Sequence, residues 1–433
     1  MSDKQNPLNI GIAGLGTVGV GVVKMLQQNA DVISARCGRD INIVSVIAGS
    51  KGKDRGVDIS SYDWADSLES MAKDERLDVV VEMIGGSEGQ TKEFVETALK
   101  NKKHVVTANK ALLAHHGYEL AKLAEENGVT IAYESAIAGG IPIVKTMREG
   151  LAGNKVSSVY GILNGTCNYI LTEMRETERS FDDVLKEAQE KGYAEVDPSF
   201  DVDGIDAAHK LVLLGALAFG MKPDFDALDI VGISHLTLQD IKQADELGYR
   251  IKLIGMACQD GDNYIQSMAP CFVPKDSAIA GVEGVFNAVQ TQGDFVDSTM
   301  LVGRGAGEGP TASSVLSDIM DIAKGDVVPS FTIPVSQLKE ATWQGAENLN
   351  TQCYISLHVN DDAGVIADIT ACLKKNDVSI DSFIQKGHEQ DGSVSLAIVT
   401  HKENLGKIKK AVASVEQLEC VLDKPTLIRI EEV

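Results

Sequence analysis

Two hydrophobic periods alternate along residues 1–136. Short apolar runs with strand character fall at 9–13, 41–48, 78–82, 104–107 and 129–133. Between them, apolar residues recur at helical spacing over 18–28, 67–74, 92–101 and 118–127. Strictly alternating strands and helices predict a parallel α/β sheet. Beyond residue 155 the runs lengthen. Strands are predicted at 155–163, 250–259, 264–272, 285–290 and 295–302, with helices at 168–175, 181–190, 205–219 and 238–246. That mixture predicts an α+β domain with a mostly antiparallel sheet. A further helix is expected from Pro310, a favoured first helical residue, to about Lys324. A polar stretch, Gln344 to Gln352, sets off the last segment. Its pattern reads strand 354–359, helix 365–374, strands 378–385 and 393–400, helix 403–414 and strand 426–431, the βαββαβ order of a ferredoxin-like unit.

Composition narrows the function. A chain of 433 residues with 44% apolar and 24% charged residues is an ordinary globular protein long enough for several domains. Its net charge of −23 argues against binding nucleic acid, which needs a basic footprint. The seven cysteines are scattered and form no C-x-x-C pair, so neither a disulfide framework nor a zinc site is expected. Free thiols fit a reducing compartment, and the polar start MSDKQNPLNIGIAGLG does not read as a signal peptide. The longest apolar run, Leu211 to Gly220, is too short to span a membrane. A cytoplasmic location is the expectation.

The first strand runs directly into Gly14-Leu15-Gly16-Thr17-Val18-Gly19 and then into an amphipathic helix. Strand, glycine loop and helix in that order suit a dinucleotide pyrophosphate held at a helix N-terminus. The second strand ends in Ala48-Gly49-Ser50-Lys51-Gly52-Lys53, without the carboxylate that an NAD site uses on the ribose. A hydroxyl and basic groups there favour NADP over NAD. The alternative is that Lys51 and Lys53 are solvated loop lysines.

Three further segments concentrate chemistry. Thr107-Ala108-Asn109-Lys110 follows the fourth strand, where open α/β sheets bind ligands, so Lys110 is either a catalytic or a surface lysine. The acidic stretch from Glu195 through Asp197, Asp201, Asp203 and Asp206 leads to Lys210. Asp206 and Lys210 share a helix face, which by itself reads as a surface ion pair. The helix continues LVLLGALAFG, however, apolar on every side. A lysine on a buried helix is desolvated, and a lowered pKa suits proton transfer near neutrality. The acidic string does not have EF-hand spacing. The third segment, Gly303 to Thr311, is a second glycine loop that either brings backbone N–H groups against the cofactor or is a simple loop.

GLGTVG (14–19), TANKALLA (107–114), ESAIAGGIPI (134–143), GILNGTCNYIL (161–171), the acidic segment through Lys210, and GRGAGEGPTAS (303–313) occur in that order. Together they resemble the homoserine dehydrogenase family, and the last segment, with Asn360-Asp361-Asp362-Ala363-Gly364-Val365, resembles an ACT domain. The resemblance implies an NAD(P)-binding Rossmann domain at 1–136 completed by about 303–343, a substrate, catalytic and dimerisation domain at 137–302, and an ACT regulatory domain at 350–433. It implies the monofunctional form of the enzyme, interconverting L-homoserine and L-aspartate 4-semialdehyde in threonine, methionine and isoleucine biosynthesis. Implied catalytic residues are Lys210, Lys110 and Asp206, with Glu195, Lys210 and Lys110 on the substrate. Implied cofactor contacts are Gly14, Gly16, Thr17, Val18, Gly19, Ala48, Ser50, Lys51, Thr107, Lys110, Gly307 and Glu308. A Na+ or K+ ion is implied on backbone oxygens around Glu134, Ile137, Gly139 and Ile141. An amino-acid effector, most plausibly threonine, is implied at Asn360, Asp361, Asp362, Gly364 and Val365, in a homo-oligomer, dimer or tetramer.

Two rival readings are open to the same residues. One is an aldehyde dehydrogenase with Cys167 as nucleophile, although no histidine adjoins it in sequence to activate the thiol. The other is a catalytically silent NAD(P)-sensing regulator.

Overall fold

The computed structural model describes residues 6–340, 342–386 and 392–433. The chain forms two compact units: Met1–Leu163 with His209–Asp226 and Asn287–Ala341, and Asn164–Ala208 with Ala227–Phe286 and Thr342–Val433.

The first unit is built on strands β1 (Leu8–Ala13), β2 (Ile41–Ile47), β3 (Asp63–Trp64), β4 (Val79–Glu82), β5 (His104–Thr107) and β6 (Ile131–Ala132). All pair in parallel, in the order β3-β2-β1-β4-β5-β6. That is the doubly wound order whose reversal point, between β1 and β4, opens the crevice for a nucleotide. Ile10, Ile12, Val79 and Val81 are fully buried, as strands covered on both faces require. The helices between them are α1 (Thr17–Gln28), α2 (Ala30–Cys37), α3 (Leu68–Lys73), α4 (Gln90–Lys100) and α5 (Lys110–Glu126), followed by short α6 (Glu134–Ala138) and α7 (Ile143–Lys145). β7 (Val156–Ile162) pairs antiparallel with β11 (Phe286–Gly293), and β12 (Asp297–Arg304) lies beside β11.

Helix α13 (Glu308–Lys324) returns to this unit and packs on α1, with Ala312, Val315 and Ile319 joining Val20, Val22 and Val23 in one core. Gly21 permits the approach, because a Cβ there would lie 2.8 Å from the Glu308 carbonyl oxygen and 3.0 Å from the Ala312 Cβ. Pro310 is the third residue of α13 rather than the first. Helix α5 starts at Lys110, well before the expected 118. Gly117 and paired histidines weaken the apolar signal there, yet Gly117 is needed, since a Cβ would come within 3.1 Å of the Phe331 ring.

The second unit contains α8 (Gly165–Thr177), α9 (Phe181–Glu190), α10 (Ser199–Val202), the start of α11 (Ile205–Phe219), β8 (Asp229–Ile230) and α12 (Leu238–Glu246). It continues through the antiparallel pair β9 (Tyr249–Asp260) and β10 (Asn263–Pro274), then β13 (Trp343–Gln344). Lys252 on β9 is buried and donates to Asn168 Oδ1 (3.1 Å) and the Val282 carbonyl (2.5 Å), which ties α8 to the sheet. Burial pushes its ammonium down to about 8.

From residue 350 come β14 (Asn350–Asn360), α14 (Val365–Lys375), β15 (Ile380–Lys386), β16 (Ser393–Thr400), β17 (Glu403–Asn404), α15 (Leu405–Val415) and β18 (Thr426–Ile430). The order β18-β14-β16-β15 is antiparallel throughout, and β18 also pairs in parallel with β10. Ile369 and Leu373 of α14 and Ile408 and Val412 of α15 bury against Ile355, Leu357, Leu396 and Ile398. The second of these helices starts two residues later than its apolar pattern suggested, because Asn404 caps it by accepting from the Lys407 amide. Among the described residues no helix is long and apolar enough to cross a membrane.

Candidate active site

The glycine loop between β1 and α1 divides its work among its glycines. Gly14 has φ +102°, and a Cβ there would lie 2.3 Å from the Met83 carbonyl oxygen. A Cβ on Gly19 would lie 1.9 Å from the Gly14 oxygen, so only glycine closes this turn. Gly16 differs: it is extended (φ −80°, ψ −161°), no side chain caps α1, and a Cβ on it would meet nothing within 4 Å. The loop therefore leaves an open approach to the first-turn amides of Thr17, Val18 and Gly19, which an anion can fill. A cleft of about 720 Å³ is lined by Ile47, Ser67, Gln90 and Phe94 together with the acidic Glu69, Glu93 and Glu96.

Past β2, Ala48 packs against the core and the loop turns basic. Lys51 Nζ lies 5.9 Å from the Trp64 ring centre and the Arg55 guanidinium 5.7 Å from the same ring. Arg55 donates to the Lys53 carbonyl (2.7 Å) and to the Ser50 carbonyl. Arg55 lies two residues beyond the Ala48–Lys53 stretch in which basic groups are expected. Gly307, with φ +120°, precedes α13, and Glu308 pairs with Lys24 at 2.8 Å.

Lys110 is placed by a buried network. The Glu82 carboxylate accepts from Thr107 Oγ1 (2.6 Å) and from the amides of Ile84 (2.6 Å) and Gly85 (3.0 Å). Thr107 Oγ1 in turn accepts from the Asn109 amide at 2.9 Å. Asn109 caps α5 by accepting from the Leu112 amide (3.1 Å) and donates to the Gly86 carbonyl (2.7 Å). Lys110 is the first residue of α5 and half-buried. Lys210, only 8% exposed, donates to the Leu163 carbonyl at 2.8 Å.

In the second unit Asn164 gathers the acids. Its side-chain amide donates to Asp201 Oδ1 (2.8 Å) and Asp206 Oδ2 (2.9 Å), while its oxygen caps α8 by accepting from the Cys167 amide (2.8 Å). No motif marks this role in the sequence, although an Asn three residues before a helical amide is a cap signal. Asp206 lies one turn before Lys210 on α11. Glu195 is exposed on the loop before α10, its carbonyl accepting from Gln189 Nε2 at 3.0 Å. Cys167 is buried, its thiol 3.2 Å from the Asp201 carbonyl. In the last segment the Asn360 amide donates to the Cys420 carbonyl (2.9 Å), the Asp361 amide to the Gly392 carbonyl (3.0 Å), and Gly364, φ +102°, precedes α14, whose first residue is Val365. The Val365 amide donates to the Asp362 carbonyl at 3.4 Å.

Glu134 is fully buried. Its carboxylate accepts from the amides of Val144 (2.7 Å) and Lys145 (2.8 Å), and its own amide donates to Asp318 Oδ2 (2.8 Å). Ile137 is buried in α6. Gly139, at φ +56°, allows the chain against the second glycine loop: a Cβ there would lie 2.1 Å from the Gly305 oxygen. The Ile141 carbonyl accepts from the Ile143 amide at 2.8 Å. Among the described residues no three His, Cys, Asp or Glu side chains are grouped to hold a metal ion.

Burial, and then the neighbouring Glu134, push Asp318 up to about 7 from an ordinary 3.8. The folded protein thus keeps a proton that the unfolded chain releases. This group's contribution to stability is full below about pH 4 and is lost as pH rises through about 7. Asp318→Asn is accordingly expected to be more stable than the parent at pH 8 by several degrees in Tm, with the gap closing toward pH 5. Calorimetry across that range checks this, and a gap that does not change with pH contradicts it.

The homoserine dehydrogenase family model matches residues 142–320, and the model of the homoserine dehydrogenase NAD-binding domain matches residues 14–134. A homoserine dehydrogenase of Neisseria gonorrhoeae is 44% identical over 433 residues, covering 99% of both chains. A crystal structure of a homoserine dehydrogenase from Thiobacillus denitrificans superposes with a TM-score of 0.94 at 40% identity, over 99% of this chain and 100% of that one. A hyperthermophilic archaeal homoserine dehydrogenase, solved in complex with NADPH, is similar at 26% identity and a TM-score of 0.64 over 75% of this chain and 100% of that one.

Proposed function

The chain belongs to the homoserine dehydrogenase family, and on that premise we propose that it reduces L-aspartate 4-semialdehyde to L-homoserine reversibly, with NADP(H) preferred over NAD(H). The observation that carries this reading is the full-length likeness together with the open Gly16 cradle at the reversal point of the parallel sheet. A bound nicotinamide supplies or takes up the hydride at the carbonyl carbon. The chain's own residues do the rest. Lys210, desolvated and held by the Leu163 carbonyl, gives the proton to the aldehyde oxygen as the alcohol forms, and takes it back in the reverse direction. Lys110, fixed at the head of α5, orients the carbonyl and is the alternative donor of that one proton. Glu195 binds the substrate ammonium group, and Asp206, held by Asn164, supports the site.

NADP is favoured because Ser50, Lys51 and Arg55 cluster where β2 ends, and no carboxylate ends that strand. Three basic groups with Lys53 suit a 2′-phosphate. The segment from 350 is read as an ACT domain on its βαββαβ order, with Asn360, Asp361, Asp362, Gly364 and Val365 as the effector loop, threonine as the effector and a homo-oligomer as the assembly. A Na+ or K+ ion would rest on the carbonyls of Glu134, Ile137, Gly139 and Ile141.

One steady-state series tests the whole reading. NADPH oxidation by the aldehyde is expected to be robust, with NADH giving at least a ten-fold lower kcat/KM and millimolar threonine lowering the rate. Equal use of the two cofactors, unchanged in a Lys51→Ala/Arg55→Ala variant, would remove the NADP preference. Indifference of both rate and Tm to threonine would remove the effector.

A further inference from the structure

Resting on the roles just given to Lys110 and Lys210, we propose that His115 and His209 form a positioning pair that sets the placement of one lysine relative to the other. Lys110 opens α5, and His115 lies on the same helix a little over one turn later. His209 immediately precedes Lys210 on α11. The two imidazoles meet Nε2 to Nε2 at 3.3 Å, with their rings edge to face at 72°. Phe225 backs both: His209 stacks on it at 4.4 Å and 11°, and His115 meets it edge-on at 5.0 Å. One turn along α5, Tyr118 is clamped by Lys222, whose ammonium lies 4.1 Å from the ring centre.

A contact between two helices is ordinarily made by aliphatic side chains, which tolerate sliding. Here it is made by two polar rings, His209, only 5% exposed, and His115, exposed on α5. Two ring nitrogens at 3.3 Å are held together by one proton between them, an N–H donating to a lone pair. Such a contact has a direction and a length, so it fixes both the separation of α5 and α11 and the rotation of α11 about its axis. Lys210 is the next residue on that helix, and its ammonium sits at the end of a long side chain that magnifies any rotation. Lys110, at the first residue of α5, moves with His115 as one rigid helix. The pair touches neither reacting atom; it acts through the two lysines. Misplacing a catalytic group by about 1 Å costs on the order of a hundred-fold in rate.

The test uses the full chain, with His115→Leu, His209→Leu, the double leucine variant, and His115→Gln and His209→Gln, whose amides reach about as far as Nε2. Each leucine variant is expected to lose about 10- to 100-fold in kcat, while the Kd for NADPH stays within about two-fold of the parent. The double variant should be no slower than the worse single, because one interaction is lost only once. The glutamine variants should recover most of the lost rate. Leucine variants with full kcat, losses that multiply in the double variant, or rates that simply follow Tm would overturn the pair. An inactive parent enzyme would instead remove the functional reading, and this proposal with it.

Discussion

Lys210→Met is expected to lower kcat for aldehyde reduction by about a thousand-fold and to leave the Kd for NADPH within a few-fold. Methionine keeps nearly the volume of the lysine stem, so the buried helix α11 retains its packing. The Leu163 carbonyl loses its donor, at a cost of about 1 kcal/mol, which is too small to unfold the chain. What disappears is the proton delivered to the carbonyl oxygen as hydride arrives. Lys110→Met, on the half-buried head of α5, is expected to cost about ten-fold less than that. Stopped-flow measurement of NADPH consumption in both variants ranks them. If Lys210→Met keeps the parental kcat and Lys110→Met does not, Lys110 is the acid, and the burial of Lys210 serves only the fold.

The second large effect separates two glycines of one loop. Gly16→Ala is expected to fold with the parental Tm, because its backbone is extended and an added methyl meets nothing. The same methyl would occupy the approach to the α1 amides, so the Kd for NADPH is expected to rise by about a hundred-fold, near 3 kcal/mol. Gly14→Ala should do the opposite first. At φ +102°, with Met83 O in the path of its Cβ, it strains the β1–α1 turn and lowers Tm before any nucleotide is added. Calorimetry with a nucleotide titration distinguishes them. A Gly16→Ala protein that binds NADPH normally would mean the pyrophosphate does not use this loop.

The parallel sheet was legible because its strands are nearly continuous apolar runs, Val79-Val80-Val81 above all, and because glycine follows β1 at once. Helices α9, α11 and α12 fall where their apolar periods put them. The early turns of α5 were not legible. Their apolar face is interrupted by His115, His116 and Gly117, and tertiary contacts, with Phe331 on Gly117 and His209 on His115, hold them helical. The candidate site was readable where a residue type is rare in its setting, as with Lys210 on an apolar helix. It was hidden where ordinary polar residues act by bonding to one another. Asn164 bridging Asp201 and Asp206, and Glu82 holding Thr107, depend on partners 25 to 42 residues away. Arg55 was hidden for the same reason, since its value lies in sharing Trp64 with Lys51.

The rival chemistry from Cys167 requires an exposed, activated thiolate. The side chain is instead buried, with its thiol directed at the Asp201 carbonyl. The two chemistries run opposite ways from the same aldehyde: the dehydrogenase consumes NADPH and makes an alcohol, while the thiol route consumes NADP+ and makes an acid. The most direct measurement is therefore a stoichiometry. Purified protein is given L-aspartate 4-semialdehyde with NADPH in one vessel and with NADP+ in another, and the amino-acid products are quantified against nucleotide turned over. One homoserine per NADPH oxidised, with no aspartate formed from NADP+, is the predicted result. Aspartate appearing with NADPH formation, or nucleotide binding without turnover in either vessel, would contradict it.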